Sequence, residues 1–349
     1  MINVIDFFSG CGGTSCGFKS AGLDIALGID VDFDASLTYK NNFPEADFLQ
    51  VDIRELNPID LSPWIAKGKP TLFCGCAPCQ PFSRQNRSKS SQDPRRNLLN
   101  EFSRFIEYWK PDYIFVENVP GMQRIEGTEG PLAAFTESLS NLGYHYQLGV
   151  LPALWFGVPQ VRERLVLIAT KTAPIELPKP THGPGKLPFG TVRNWIDGLP
   201  AIAAGQTHPD DNDHRAAVLT EINLSRIKAT PEGGSRDSWS ESLWLDCHKQ
   251  HKGHKDVYGR LAWDKPAAGL TTRCISYSNG RFGHPEQHRA ISVREAACLQ
   301  TFPRKFNFFG NLNSKARQIG NAVPPLMAQA IGSHILSHAI KHQSVITSP

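Results

Sequence analysis

Apolar and polar positions in the first half of the chain fall into short blocks with a strand–helix rhythm. Residues 4–8 form an apolar, strand-like run, and 14–21 suit a helix. A second apolar stretch at 25–29 precedes a helix-compatible segment at 34–41 and a short run ending at 51–53. Residues 71–73 read as a strand running out at Gly75. Between 98 and 109, apolar residues at 98, 99, 102, 105, 106 and 109 repeat with the helical period, and Lys110-Pro111 stops the element. A buried strand at 113–116, a helix at 131–142, an apolar stretch at 146–151 and a strand at 165–169 complete the series. Alternation of this kind predicts an α/β sheet domain over residues 1–172.

The texture changes near Thr172. Pro174, Pro178, Pro180, Pro184 and Pro188 interrupt any long element, and eight of the twelve histidines fall between His182 and His288. A second, loop-rich domain is expected over 173–311. Patterning resumes at 292–300, where Ser292 as cap and Glu295 three residues later predict a capping box. Gly320-Asn321-Ala322-Val323-Pro324-Pro325 then opens a last helix reaching about Ser337, within a C-terminal segment over 312–349.

Composition narrows the class. Hydrophobic residues at 40% and charged residues at 20% describe an ordinary globular protein, and no apolar run is long enough to cross a bilayer. Eight irregularly spaced cysteines in 349 residues do not form a disulfide framework. The strand-like start leaves no room for a signal sequence, so a cytoplasmic protein is expected. The net charge of +4 is unevenly spread. Residues 1–170 carry 15 Lys+Arg against 19 Asp+Glu, whereas 289–349 carry 7 against 1. Within the acidic half, residues 84–97 hold five basic residues and one acid. Such a run is either a solvated loop or a phosphate contact.

Polar chemistry gathers just past the strand ends. Ser9-Gly10-Cys11-Gly12-Gly13 follows the first strand, where glycines let a ligand approach backbone and a helix N-terminus offers free N–H groups. Asp30 lies twenty residues after Gly10, at the distance where a carboxylate meets a ribose. The spacing G-x-G-G favours a nucleoside cofactor smaller than a dinucleotide. Cys79 sits on a stiff turn between Pro78 and Pro81. It reads as a packed thiol, as part of a redox or metal site with Cys74 and Cys76, or as a lone nucleophile. Cys247, His248, His251 and His254 could hold zinc, although three lysines interleave with them and no metal is expected.

Six motifs occur in order: Phe8 to Gly13, Pro78-Cys79-Gln80, Glu117-Asn118-Val119, Gln160-Val161-Arg162-Glu163-Arg164, Arg294-Glu295-Ala296-Ala297 and Gly320-Asn321-Ala322-Val323-Pro324. Together they resemble the motif set of the DNA cytosine-5 methyltransferases of bacterial and phage restriction–modification type. The resemblance spans about residues 3–335, leaving only 173–288 unmatched.

It implies a mixed, mostly parallel, seven-stranded doubly wound sheet that binds S-adenosylmethionine, with a smaller target-recognition domain. Phe8, Gly10, Cys11, Gly12, Asp30, Val31, Asp52, Ile53, Leu98, Asn321 and Ala322 would hold the cofactor. Val31 departs from the larger side chain often found there, which implies weaker adenine stacking. Cys79, Glu117, Arg162 and Arg164 would form the catalytic set. Cys79 would add to cytosine C6, Glu117 would serve N3, and Arg164 would hold O2. Arg162 and the basic loop would favour the thiolate. Cys74 and Cys76 then become packing residues.

The substrate implied is double-stranded DNA, with the cytosine flipped out of the stack. Gln80, Ser83, Arg84, Arg87, Lys89 and Arg95 would contact it. Arg226, Arg236, Ser238, Lys252 and Arg273 are unranked candidates for reading the target sequence. A monomer is expected, associated with the bacterial nucleoid through DNA, with any cognate restriction endonuclease acting separately. The alternative is the transfer-RNA-modifying branch of the family, whose Cys-Phe-Thr signature does not occur in this chain.

Overall fold

A computed structural model describes residues 2–77, 98–120, 130–249 and 256–342, the side chains of 248 and 249 excepted. The chain divides into two compact units, one of residues 1–152, 163–180 and 323–349, the other of 153–162 and 181–322.

The first unit is built on seven strands: β1 (Asn3–Phe7), β2 (Asp24–Asp30), β3 (Asp47–Gln50), β4 (Thr71–Gly75), β5 (Tyr113–Asn118), β6 (His145–Pro152) and β7 (Glu163–Thr170). Their spatial order is β3-β2-β1-β4-β5-β7-β6. All pairs are parallel except those of β7, which runs antiparallel to both β5 and β6. The expected mostly parallel α/β sheet is therefore present. Its helices are α1 (Gly13–Ser20), α2 (Phe33–Asn42), α3 (Leu98–Trp109), α4 (Pro131–Asn141) and, from the C-terminal segment, α10 (Pro325–Lys341).

Alternation along each strand sorts the two faces. Phe7 and Phe73 point into a core with Phe102 and Phe105 of α3. On the other face Phe18 of α1 meets Phe115 of β5 edge to face. Here α1 packs against α10 with unusual closeness. A Cβ on Gly17 would stand 2.3 Å from the Pro325 carbonyl, so only glycine lets the two backbones meet. Strand order reverses between β1 and β4. In open α/β sheets ligands bind beyond the carboxyl ends of the strands at such a switch point.

The second unit carries little regular structure. Its helices are α5 (Val192–Ile196), α6 (Glu221–Lys228), α7 (Asp246–Lys249), α8 (Val293–Leu299) and α9 (Leu312–Asn321). Its strands are short pairs, Thr207–His208 with Asp211–Arg215 and Gln160–Val161 with Ala267–Ala268. Buried arginines do much of the work that an apolar core does elsewhere. The Arg260 guanidinium reaches the carbonyls of Ile227, Thr230, His284 and Gln287. Arg289, fully buried, forms a fork on Glu295 with two bonds of 2.7 Å. Burial alone would push the Glu295 carboxyl up, but Arg289, His284 and the Ser292 N–H together outweigh it and the net shift is downward. Ser292 caps α8 and Glu295 returns the bond, completing the capping box expected from the sequence.

Among the sequence candidates for reading DNA, Arg226 and Arg236 are buried, and Arg226 lies over the Trp239 and Tyr258 rings. Arg273 is exposed, whereas Lys252 lies outside the described residues. So do His251 and His254; among the described residues no group of three or more His, Cys, Asp or Glu could hold a metal ion. No helix of the described residues is long and apolar enough to cross a membrane.

Candidate active site

The turn after β1 is shaped by backbone rather than by side chains. Phe8 has φ 56°, Gly10 φ 53° and Gly12 φ 91°. A Cβ on Gly12 would come within 2.3 Å of the Phe43 ring, so that position is closed to other residues. Above Gly10 there is open space within 4 Å, where a ligand can lie against the backbone. The Gly10 N–H donates to Asp30 Oδ2 at 2.8 Å and the Asp32 N–H to Oδ1 at 2.9 Å. Both carboxylate oxygens are thus fixed, and each keeps a lone pair for a hydroxyl.

The other cofactor candidates of the first unit differ in exposure. Cys11 and Ile53 are buried, Leu98 is buried at the start of α3, and Val31 is 64% exposed. Asp52 is held by Arg54, whose bond keeps its carboxyl below the ordinary range. Open space at Gly10 beside a doubly anchored carboxylate fits a ribose-bearing cofactor such as S-adenosylmethionine.

At the end of β5, Glu117 is buried and lies opposite Val166 of β7. Two residues back on the same face of β7 stands Arg164, whose Nε is 2.5 Å from Glu117 Oε1. The contact is ionic; Oε1 receives no well-directed hydrogen bond. The next residue, Asn118, donates from Nδ2 to the Ala77 carbonyl at 3.2 Å. It therefore fixes the chain just before Pro78 and Cys79, a role the sequence does not reveal. Cys74 is fully buried and burial pushes its thiol well up, as a packing residue requires; Cys76 is half-buried, 3.6 Å from Thr14 Oγ1. Cys79, Gln80, Ser83, Arg84, Arg87, Lys89 and Arg95 lie outside the described residues.

Arg162, Asn321 and Ala322 belong to the second unit. Arg162 and Arg164 stand two residues apart in the sequence, yet the strand breaks at 162 and the two residues belong to different units. The buried Arg162 guanidinium donates to the carbonyls of Leu270, Gly320 and Ala322 at 2.8, 3.0 and 3.3 Å. Gln300 adds a bond to the Ala322 carbonyl at 2.6 Å, and Gln160 bonds Gln300, Leu299 and Leu270. A Cβ on Gly320 would fall 2.1 Å from the Thr271 carbonyl. The turn that bears Asn321 is thus held from several directions by buried polar groups.

The sheet order places the first unit in the doubly wound class, with the glycine turn and Asp30 at its strand ends. Sequence comparison specifies it. The pattern of the C-5 cytosine-specific DNA methylases matches residues 2–337. The Type II methylase M.HgiDII of Herpetosiphon aurantiacus is 42% identical over 342 residues, covering 95% of this chain and 94% of that protein. The Type II methyltransferase M1.HphI of Haemophilus parahaemolyticus is 35% identical, covering 96% and 87%. The fold is shared with a prophage-encoded E. coli protein described as a DNA modification methyltransferase, at TM-score 0.77 and 24% identity over 97% of this chain and 99% of that one. The chain belongs to the C-5 cytosine-specific DNA methylases and is a DNA cytosine-5 methyltransferase, an enzyme that methylates cytosine in DNA from S-adenosylmethionine.

Proposed function

We propose that the protein methylates C5 of a cytosine flipped out of a specific double-stranded DNA sequence, through a covalent bond between Cys79 and C6. The observation that carries this reading is the pair of buried Glu117 and half-buried Arg164 at the strand ends, on the two strands that follow β4 in the sheet. Cytosine C5 is a poor nucleophile, and a thiolate added at C6 makes it enamine-like. The cofactor supplies a methyl group activated on a sulfonium. Cys79 Sγ forms the bond to C6, and Glu117, which takes up a proton from solvent as Arg164 leaves it, passes that proton to N3 as charge develops there. Arg164 turns from Glu117 to the cytosine O2 when the base enters. After methyl transfer a base takes the C5 proton, the Cys79–C6 bond breaks to release the thiolate and restore the aromatic ring, and N3 returns its proton to Glu117.

Phe8, Gly10, Cys11, Gly12, Asp30, Val31, Asp52, Ile53 and Leu98 hold the cofactor in this reading. The assignment of Asn321 and Ala322 to its methionine end rests on their sequence motif. Arg84, Arg87, Lys89 and Arg95, with Gln80 and Ser83, contact the extruded strand, and residues 173–311 read the target. The relatives are named as Type II methylases, which supports a role alongside a separately acting restriction endonuclease. The enzyme acts as a monomer.

Expression in a methylation-free bacterial host, followed by bisulfite sequencing, tests the reading. One short sequence motif carrying a protected cytosine is the expected result. A host genome without protected cytosines would overturn it.

A further inference from the structure

Asp6 is a buried acid for which the reaction above has no use. It lies in the middle of β1, opposite Gly28 of β2 and Cys74 of β4, with no exposed surface. Its Oδ2 accepts the Ser15 hydroxyl at 2.6 Å, and Ser15 Oγ is in turn 2.9 Å from the Tyr39 hydroxyl. Its Oδ1 is buried without a hydrogen-bond partner. A lone oxygen of this kind is costly in a sheet interior, and an apolar residue would pack there without the cost.

The position gives the acid a meaning. Ser15 is the third residue of α1, so Asp6 lies beneath the first turn of the helix that the Gly10–Gly12 turn leads into. Asp30, which anchors Gly10, is close enough to act on Asp6 as a second negative charge. The other titratable groups facing Asp6 are the Tyr39 hydroxyl from α2 and the thiols of Cys74 and Cys76 from β4 and the residues after it. A cation bound at the turn would meet an excess of buried acid.

We propose that Asp6 distinguishes the methyl donor from its product by charge, favouring the cationic sulfonium over the neutral thioether without touching either. This rests on the Gly10–Asp30 turn being the cofactor site. Donor and product share the ribose, adenine and amino-acid parts, so their difference in affinity reports the field at sulfur. When the cation binds, Asp6 releases its proton to solvent; once the methyl group has left, it takes one back.

Burial raises the free Asp6 carboxyl to about 7, against a smaller lowering by Ser15. A nearby cation lowers that value in the donor complex. Donor affinity therefore rises as pH climbs towards 7 and levels off above it, whereas product affinity does not follow. In calorimetric titrations of the full chain without DNA, the preference for S-adenosylmethionine over S-adenosylhomocysteine rises about fivefold between pH 6 and 7.5 in the wild type. In Asp6→Asn, which keeps an acceptor for Ser15 but no charge, it stays constant. Should that variant fold poorly, the wild type suffices: titrations in two buffers of different ionisation enthalpy show proton release with donor and none with product. A wild-type preference that is flat with pH, or one that rises equally in Asp6→Asn, overturns the proposal. A wild type that binds neither ligand overturns the cofactor reading and the proposal with it.

Discussion

Glu117→Gln lowers kcat for DNA methylation about 10³-fold while cofactor affinity stays unchanged. Glutamine keeps the size and hydrogen-bonding reach of the side chain but cannot pass a proton to N3. Charge building on the pyrimidine during thiolate addition then has no outlet, and the step slows by the factor usual for a lost general acid. The substitution also takes from Arg164 the negative charge that stands 2.5 Å from its Nε. Arg164 keeps its bond to the Glu163 carbonyl at 2.8 Å, which holds the side chain near its place. Single-turnover measurement with labelled donor separates the effect from product release. A variant methylating within tenfold of the wild type would show that Glu117 is not the proton source.

Arg162→Ala should read as lost stability rather than as lost nucleophile activation. Its guanidinium is committed to three carbonyls of the second unit, all more than a hundred residues away in sequence. Truncation leaves those acceptors buried without their charged donor, at a cost of roughly 3–5 kcal/mol. For a unit of this size that lowers Tm by about 6–20 °C. The rate at which iodoacetamide alkylates Cys79, followed against pH, separates the two roles. An unmoved midpoint with a lowered Tm is expected. A midpoint raised by about one unit with Tm unchanged would return Arg162 to the thiol.

Legibility in the sequence followed the kind of burial. Helix α3 lies where its six apolar positions put it, at Leu98–Trp109, because one face of it packs on an apolar core. Strands β2 and β5 run one or two residues past their apolar runs, since polar Asp30, Glu117 and Asn118 still pair at the strand ends. The glycine turn and Asp30 were legible for the same reason, being strand-end residues twenty apart. Helices α6 and α9 carried no comparable signal. Arg226 and Arg260 bury cationic groups around α6, and α9 is closed by Gln318, Arg162 and Gln300 acting on backbone carbonyls. A period-based reading treats such residues as solvent-facing. The Asn118–Ala77 bond was hidden differently: it joins positions 41 apart, a spacing that only the sheet order creates.

The central claim is a covalent bond from Cys79 to C6 of the target cytosine, and a trapped complex tests it most directly. In duplex DNA carrying 5-fluorocytosine at the methylated position, the fluorine cannot leave as a proton does, so the adduct persists after methyl transfer. With S-adenosylmethionine present, the wild type and Cys76→Ser should each gain the mass of one DNA strand plus one methyl group, attached at Cys79. Cys79→Ser should gain nothing. Methylation of ordinary DNA with no trapped complex, or a complex attached at another residue, would contradict the account.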